Sequence, residues 1–188
     1  RGITVYAKEA RFSIGEKQFA LLDTPGHTDF SSETERTLQV LDYAVLVVSG
    51  ADGVQAHTVT LWKLFRHYGI PVFVFVNKMD RPCAERQDII RELSEQLGGG
   101  VFADFGGAGS AGVTGGAGSA DGGGRGKERC DFDGRNAEEI AGASEVLMEE
   151  YLETGTFCEE SIRLAIEKRE LFPVFFGSAL TNFGVEPF

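Results

Sequence analysis

Three uninterrupted apolar runs of strand length punctuate the chain: Ala44-Val45-Leu46-Val47-Val48, Val72-Phe73-Val74-Phe75-Val76 and Phe172-Pro173-Val174-Phe175-Phe176. Runs without polar alternation suit strands of a sheet covered on both faces. Helical spacing lies between them. Residues 58–68 predict a helix burying Leu61, Trp62, Leu64 and Phe65, and residues 84–97 predict another, with Pro82 near its start. Residues 137–152 and 159–169 resume the pattern, with Val146, Leu147, Tyr151, Ile162, Leu164 and Ile166 as apolar members. Residues 29–41 are helix-like, with Phe30, Leu38 and Leu41 as inward candidates. Ahead of these, residues 3–14 mix β-branched and aromatic residues with charges, and Gly15-Glu16-Lys17 separates them from the run 19–22. That is a hairpin signal, with the first strand at an edge. Strands alternating with helices predict an α/β fold with a doubly wound, mostly parallel sheet.

Residues 98–126 break the pattern. They hold fourteen of the 25 glycines, mixed with Ala and Ser, so they bury too little apolar surface to offset the entropy of ordering. A flexible glycine-rich insert is expected over 98–136, between folded stretches 1–97 and 137–188. A glycine-rich phosphate cradle fails on context, because no strand leads in and no Gly-Lys-Ser/Thr closes it. The 188 residues are most simply one domain, long enough to bury a core. A net charge of −11 argues against wrapping DNA or RNA through general charge, while leaving room for a local contact. Cys83, Cys130 and Cys158 are scattered and lack Cys-x-x-Cys spacing, so they read as reduced thiols of a cytoplasmic protein. No apolar run approaches the roughly 20 residues of a membrane helix, so no membrane partner is expected.

The chemistry gathers where apolar runs end. Residues 19–22 break into Asp23-Thr24-Pro25-Gly26-His27. An Asp-x-x-Gly at the C-terminal edge of a sheet offers a carboxylate for Mg²⁺ and a bare backbone N–H for a phosphate oxygen. The second run ends in Asn77-Lys78-Met79-Asp80, and the third in Gly177-Ser178-Ala179. Guanine presents two adjacent donors, its ring N1–H and its exocyclic amine, which one carboxylate accepts together. Asp80 is placed to do so, and adenine would leave that charge unpaired. Asn77 is expected to bridge base and neighbouring loop, and the Lys78 stem to lie over the purine. Ser178 and Ala179 are small enough to bring a backbone N–H to guanine O6. Each string alone is a common turn; the three in this order predict a guanine-nucleotide site for GTP or GDP.

Arg1-Gly2-Ile3-Thr4, the stretch from Asp23 to Phe30, Asn77-Lys78-Met79-Asp80-Arg81 and Gly177-Ser178-Ala179 resemble the translational GTPases. Within them the chain is most similar to elongation factor G and the ribosomal-protection tetracycline-resistance proteins. Glu35-Arg36-x-Leu38, Leu41-Asp42, Gly53-Val54-Gln55 and 147–152 extend the likeness over about 1–97 and 137–188. The resemblance implies a P-loop GTPase fold and GTP and Mg²⁺ as ligands. It makes Thr4 and Asp23 metal ligands, and His27 the residue that positions the attacking water once large-subunit ribosomal RNA orders it. Such a role fits phosphoryl transfer, which depends on positioning and charge stabilisation. One motif is absent: no Gly-x-x-x-x-Gly-Lys-Ser/Thr occurs in these residues. The chain is therefore expected to be a piece of a longer protein and, by itself, to bind GTP weakly.

The resulting expectation is part of a ribosome-dependent GTPase that hydrolyses GTP to drive translocation or to release tetracycline from the ribosome. Two alternatives stay open: a truncated, non-catalytic guanine-binding module, and another translational branch such as an initiation or peptide-release factor.

Overall fold

Gly15, at a φ of 59°, reverses the chain between β1 (Lys8–Ile14) and β2 (Lys17–Asp23), which pair antiparallel with Ile14 opposite Lys17. A glycine at φ > 0 in a two-residue loop matches the twist of a hairpin. Phe12 and Phe19 face each other across the ladder, their rings stacked at 5.3 Å. In this computed structural model, residues 8–24, 36–106, 129–130, 132 and 134–185 are described. Among them the hairpin forms a two-stranded sheet of its own.

The main sheet is built from β3 (Ala44–Ser49), β4 (Val72–Asn77), β8 (Leu171–Phe176) and β5 (Val101–Asp104), in the spatial order β3-β4-β8-β5 with every pair parallel. Helices α1 (Ala56–Tyr68) and α2 (Arg86–Leu97) connect β3 to β4 and β4 to β5. Further on come β6 (Arg129–Cys130), α3 (Gly134–Ala141), α4 (Glu145–Thr154), β7 (Phe157–Cys158) and α5 (Glu159–Glu167), with β6 and β7 paired antiparallel.

Strand parity decides which helices each side chain meets. Leu46, Val48, Val74, Val76, Phe102, Phe172 and Val174 join Trp62, Phe65, Ile89 and Leu93 of α1 and α2 in one core. On the other face Ala103 and Leu171 join Ile140, Leu147, Ile162 and Ile166 of α3–α5. The sheet is thus wound on both sides, as the apolar runs predict. Coverage stops at the β3 edge, where Val45 and Val47 are exposed although continuous apolarity implies burial. The second helical layer lies over β4, β8 and β5 only.

Pro173 is compatible with an interior strand because of where its missing N–H would point. Val174 accepts from Phe105 on the β5 side, so Pro173 turns its amide positions toward β4, and the β4 ladder begins only at Val174.

Residue 98 does not open an unstructured insert: Val101–Asp104 is a strand, and its Phe102 and Ala103 are fully buried. Gly100 is needed at its entry, since a Cβ there would lie 2.7 Å from the Glu170 carbonyl oxygen. Of the glycine-rich stretch expected over 98–126, residues 107–126 lie outside the described residues. The helix expected over 137–152 is two, separated at Gly142-Ala143-Ser144, where the Ser144 hydroxyl caps the Leu147 N–H at 3.3 Å. Val146 and Leu164, expected inside, are exposed.

Candidate functional site

The C-terminal ends of β4 and β8 are neighbours in the sheet, so the loops that follow them share one rim. Backbone bonds join the loops. Gly177 N–H donates to the Val76 carbonyl at 2.9 Å, and Met79 N–H donates to the Gly177 carbonyl at 3.1 Å. The Asn77 side chain adds a cross-link: its Oδ1 accepts from Lys78 N–H at 2.8 Å and from Ala179 N–H at 3.0 Å. Lys78, next in the chain, takes the left-handed conformation at φ 66°. A non-glycine residue there costs about 1–2 kcal/mol, which the surrounding bonds offset.

Ser178 is buried and Asp80 exposed. The nearby Ser178 hydroxyl is the main influence holding the Asp80 carboxyl below its ordinary pKa, helped by the backbone and the Arg81 charge and opposed by desolvation. Asp80 is accordingly an ionised acceptor at neutral pH, as reading the paired donors of guanine requires.

The structure gathers Asn77, Lys78, Asp80, Ser178 and Ala179, residues about a hundred positions apart in the chain. Asn77 bridges to the neighbouring loop, as expected. The expected free N–H for guanine O6 is not found at Ser178 or Ala179. Ser178 N–H donates to the Phe183 carbonyl at 2.8 Å and Ala179 N–H to Asn77, because the loop closes on itself through the Ser178–Phe183 bridge.

Lys78 extends sideways rather than freely. Its Nζ lies 3.2 Å from Oδ2 of Asp52, in the turn after β3, and the Ser49 hydroxyl donates to the same oxygen at 2.7 Å. These two bonds and the Lys78 charge hold the Asp52 carboxyl below its ordinary pKa. Residues 50–55 lie between the first apolar run and the helix expected over 58–68. Nothing in their local pattern announces a partner 26 residues downstream.

Asp23 ends β2 and Thr24 follows it, and among the described residues no strand pairing joins them to the β4–β8 rim. Thr4, Pro25, Gly26 and His27 lie outside the described residues. Of the two implied Mg²⁺ ligands, Asp23 presents an exposed carboxylate, and no group of three metal-ligating side chains forms among the described residues. One carboxylate fits Mg²⁺, which protein sites bind through one or two carboxylates plus substrate phosphates. No described helix is long and apolar enough to cross a membrane.

Residues 1–188 match the family model described as the elongation factor Tu GTP binding domain. The chain is 39% identical over 207 residues to peptide chain release factor 3 of Streptococcus mutans, covering 100% of this chain and 38% of that protein. It is 41% identical over 205 residues to peptide chain release factor 3 of Streptococcus uberis, with the same coverage of each. A crystal structure of a Thermus thermophilus protein aligns with a TM-score of 0.69 at 26% identity, over 98% of this chain and 31% of that one. The chain thus spans less than two fifths of the length of these relatives.

Proposed function

We propose, because this chain belongs to the elongation factor Tu GTP binding domain family, that it forms the guanine-recognising part of a ribosome-dependent translational GTPase of the peptide chain release factor 3 type. The names of its relatives support the release-factor branch, which the sequence left as an alternative, over translocation or tetracycline release.

The observation that carries the guanine reading is the junction of two distant loops. Asn77 Oδ1 holds the Ala179 N–H at 3.0 Å while Met79 N–H donates to the Gly177 carbonyl at 3.1 Å, which brings Asp80 beside Ser178. In this reading Asp80 accepts from the ring N–H and exocyclic amine of guanine, and Asn77 keeps the two loops in register beneath it. Asp23 serves the phosphate end and would hold Mg²⁺ together with Thr4; the ion supplies charge neutralisation at the phosphates when bound. His27 positions the attacking water, and ribosomal RNA of the large subunit orders it.

Asp80→Asn in the full-length protein tests the base assignment. An amide in place of the carboxylate accepts once and donates once, which suits xanthine. The preference for guanine over xanthine nucleotides should fall by about a hundredfold or more, measured by competition binding. An unchanged preference would overturn the assignment.

A further inference from the structure

Asp52 is a charged residue at the rim to which the proposed site gives no role. Its carboxylate is set by its own turn before it meets Lys78: Ser49 Oγ donates to Oδ2 at 2.7 Å, and Asp52 N–H donates back to Ser49 Oγ at 3.3 Å. The turn is closed by Gly53 N–H on the Ser49 carbonyl at 2.9 Å and tied to β4 by Gly50 N–H on the Asn77 carbonyl at 2.8 Å. From behind, Glu92 of α2 accepts the Val54 N–H at 2.9 Å. Gly53 leaves room for that brace, since a Cβ there would lie 2.7 Å from Glu92 Oε1. The carboxylate is therefore presented from a fixed turn, and the left-handed backbone at Lys78 sends the ammonium to it across the ends of β3 and β4.

We propose that Asp52 is a positioning residue for nucleotide binding: by anchoring the Lys78 ammonium it holds the aliphatic stem as a platform under the base that Asp80 reads. The inference rests on the guanine site proposed above. A lysine stem free in solvent populates many rotamers, and ordering it on binding costs entropy. Anchoring lowers that cost in advance. Both side chains are about half exposed, at 42% and 50%, so the pair adds little to folding stability and its effect falls on the ligand.

The test uses the full-length protein, with GDP affinity and urea midpoints measured for Asp52→Ala, Lys78→Met, the double variant and Asp52→Glu. Asp52→Ala should raise the GDP Kd about threefold to fivefold while leaving the urea midpoint and the preference for guanine over xanthine unchanged. The same substitution on top of Lys78→Met should add nothing, because the ammonium is already gone. Asp52→Glu should recover part of the loss. A wild-type Kd for Asp52→Ala, or an equal loss in the Lys78→Met background, would overturn the proposal. Asp80→Asn run alongside separates the two levels. A base switch there with no Asp52 effect overturns the positioning role alone, whereas no base switch, or no GDP binding by the wild type, overturns both.

Discussion

Gly177 offers the sharpest test of how the rim is built. Its φ is not in the left-handed region, so alanine costs nothing there for backbone conformation, and the whole effect is one of space. A Cβ at this position would enter the van der Waals shell of the Phe183 carbonyl oxygen and come within 2.9 Å of Phe75 Cζ. Neither neighbour is free to yield. The Phe183 carbonyl accepts from Ser178 N–H, and Phe75 is a buried residue of β4. Moving Gly177 instead strains the bonds from its N–H to Val76 and from Met79 to its carbonyl. Overpacking of this kind costs about 1–3 kcal/mol, and one backbone hydrogen bond adds about 1 kcal/mol, so Gly177→Ala should destabilise by about 2–4 kcal/mol. The assay is urea denaturation of the full-length protein beside Gly134→Ala. At Gly134, the first residue of α3, a Cβ meets nothing within 4 Å and alanine should stabilise by about 0.5 kcal/mol. Guanine nucleotide affinity should fall for Gly177→Ala and hold for Gly134→Ala. A Gly177→Ala protein within about 0.5 kcal/mol of wild type would refute the close-packed junction.

Two further outcomes follow from the same rim. Asp80 has a lowered pKa in the folded protein, so its contribution is complete above the unfolded carboxylate value of about 4 and is lost as pH falls through the lower folded value. Ser178→Ala should raise the Asp80 pKa toward the ordinary range in a carboxyl NMR titration and shift the acid limb of GDP binding upward; an unmoved titration would remove Ser178 from the Asp80 environment. At the end of β5, Asp104 is 7% exposed, pairs with Arg86 Nη1 at 3.1 Å and accepts Gly106 N–H at 2.8 Å. Asp104→Ala should cost about 2–3 kcal/mol by urea denaturation, less than breaking a fully buried pair because Arg86, 34% exposed, regains water. A loss below about 0.5 kcal/mol, as expected for an exposed pair such as Arg91–Asp88, would refute its structural weight.

What the sequence disclosed and what it withheld divide along a physical line. Strands β3, β4 and β8 are legible because each is an uninterrupted apolar run, and β4 and β8 run directly into their motifs. Strand β5 is hidden because only four residues, Val101–Asp104, separate Gly98-Gly99-Gly100 from Phe105-Gly106. Composition averaged over that stretch reads as glycine, whereas Phe102 is held in the core by the rings of Trp62 and Phe172 at 5.4 and 5.0 Å. The motif residues at the rim are legible as strings, but their division of labour is not. The Ser178 hydroxyl lowers the Asp80 pKa, and Ala179 gives its N–H to Asn77. Asp52 meets Lys78 only because β3 and β4 lie side by side, a relation no local window contains.

The two ends of the proposed nucleotide site are built on unlike foundations. The base end rests on β4 and β8, interior strands with helices packed on both faces, and its loops are joined by main-chain bonds and the Asn77 amide. Asp23 instead ends a two-stranded hairpin in which Phe12, Ile14, Phe19 and Leu21 are all exposed. Two strands alone are marginal in water, and nothing in the hairpin ladder ties Asp23 to the rim. In the proposed site the base end therefore rests on a preorganised part of the fold, which would lose little entropy when a purine arrives. Placement of the phosphate-end carboxylate, by contrast, has to be supplied by contacts outside the hairpin's own ladder. The proposed site thus makes specificity for guanine and affinity for the phosphates separable, since its two ends rest on different amounts of buried structure.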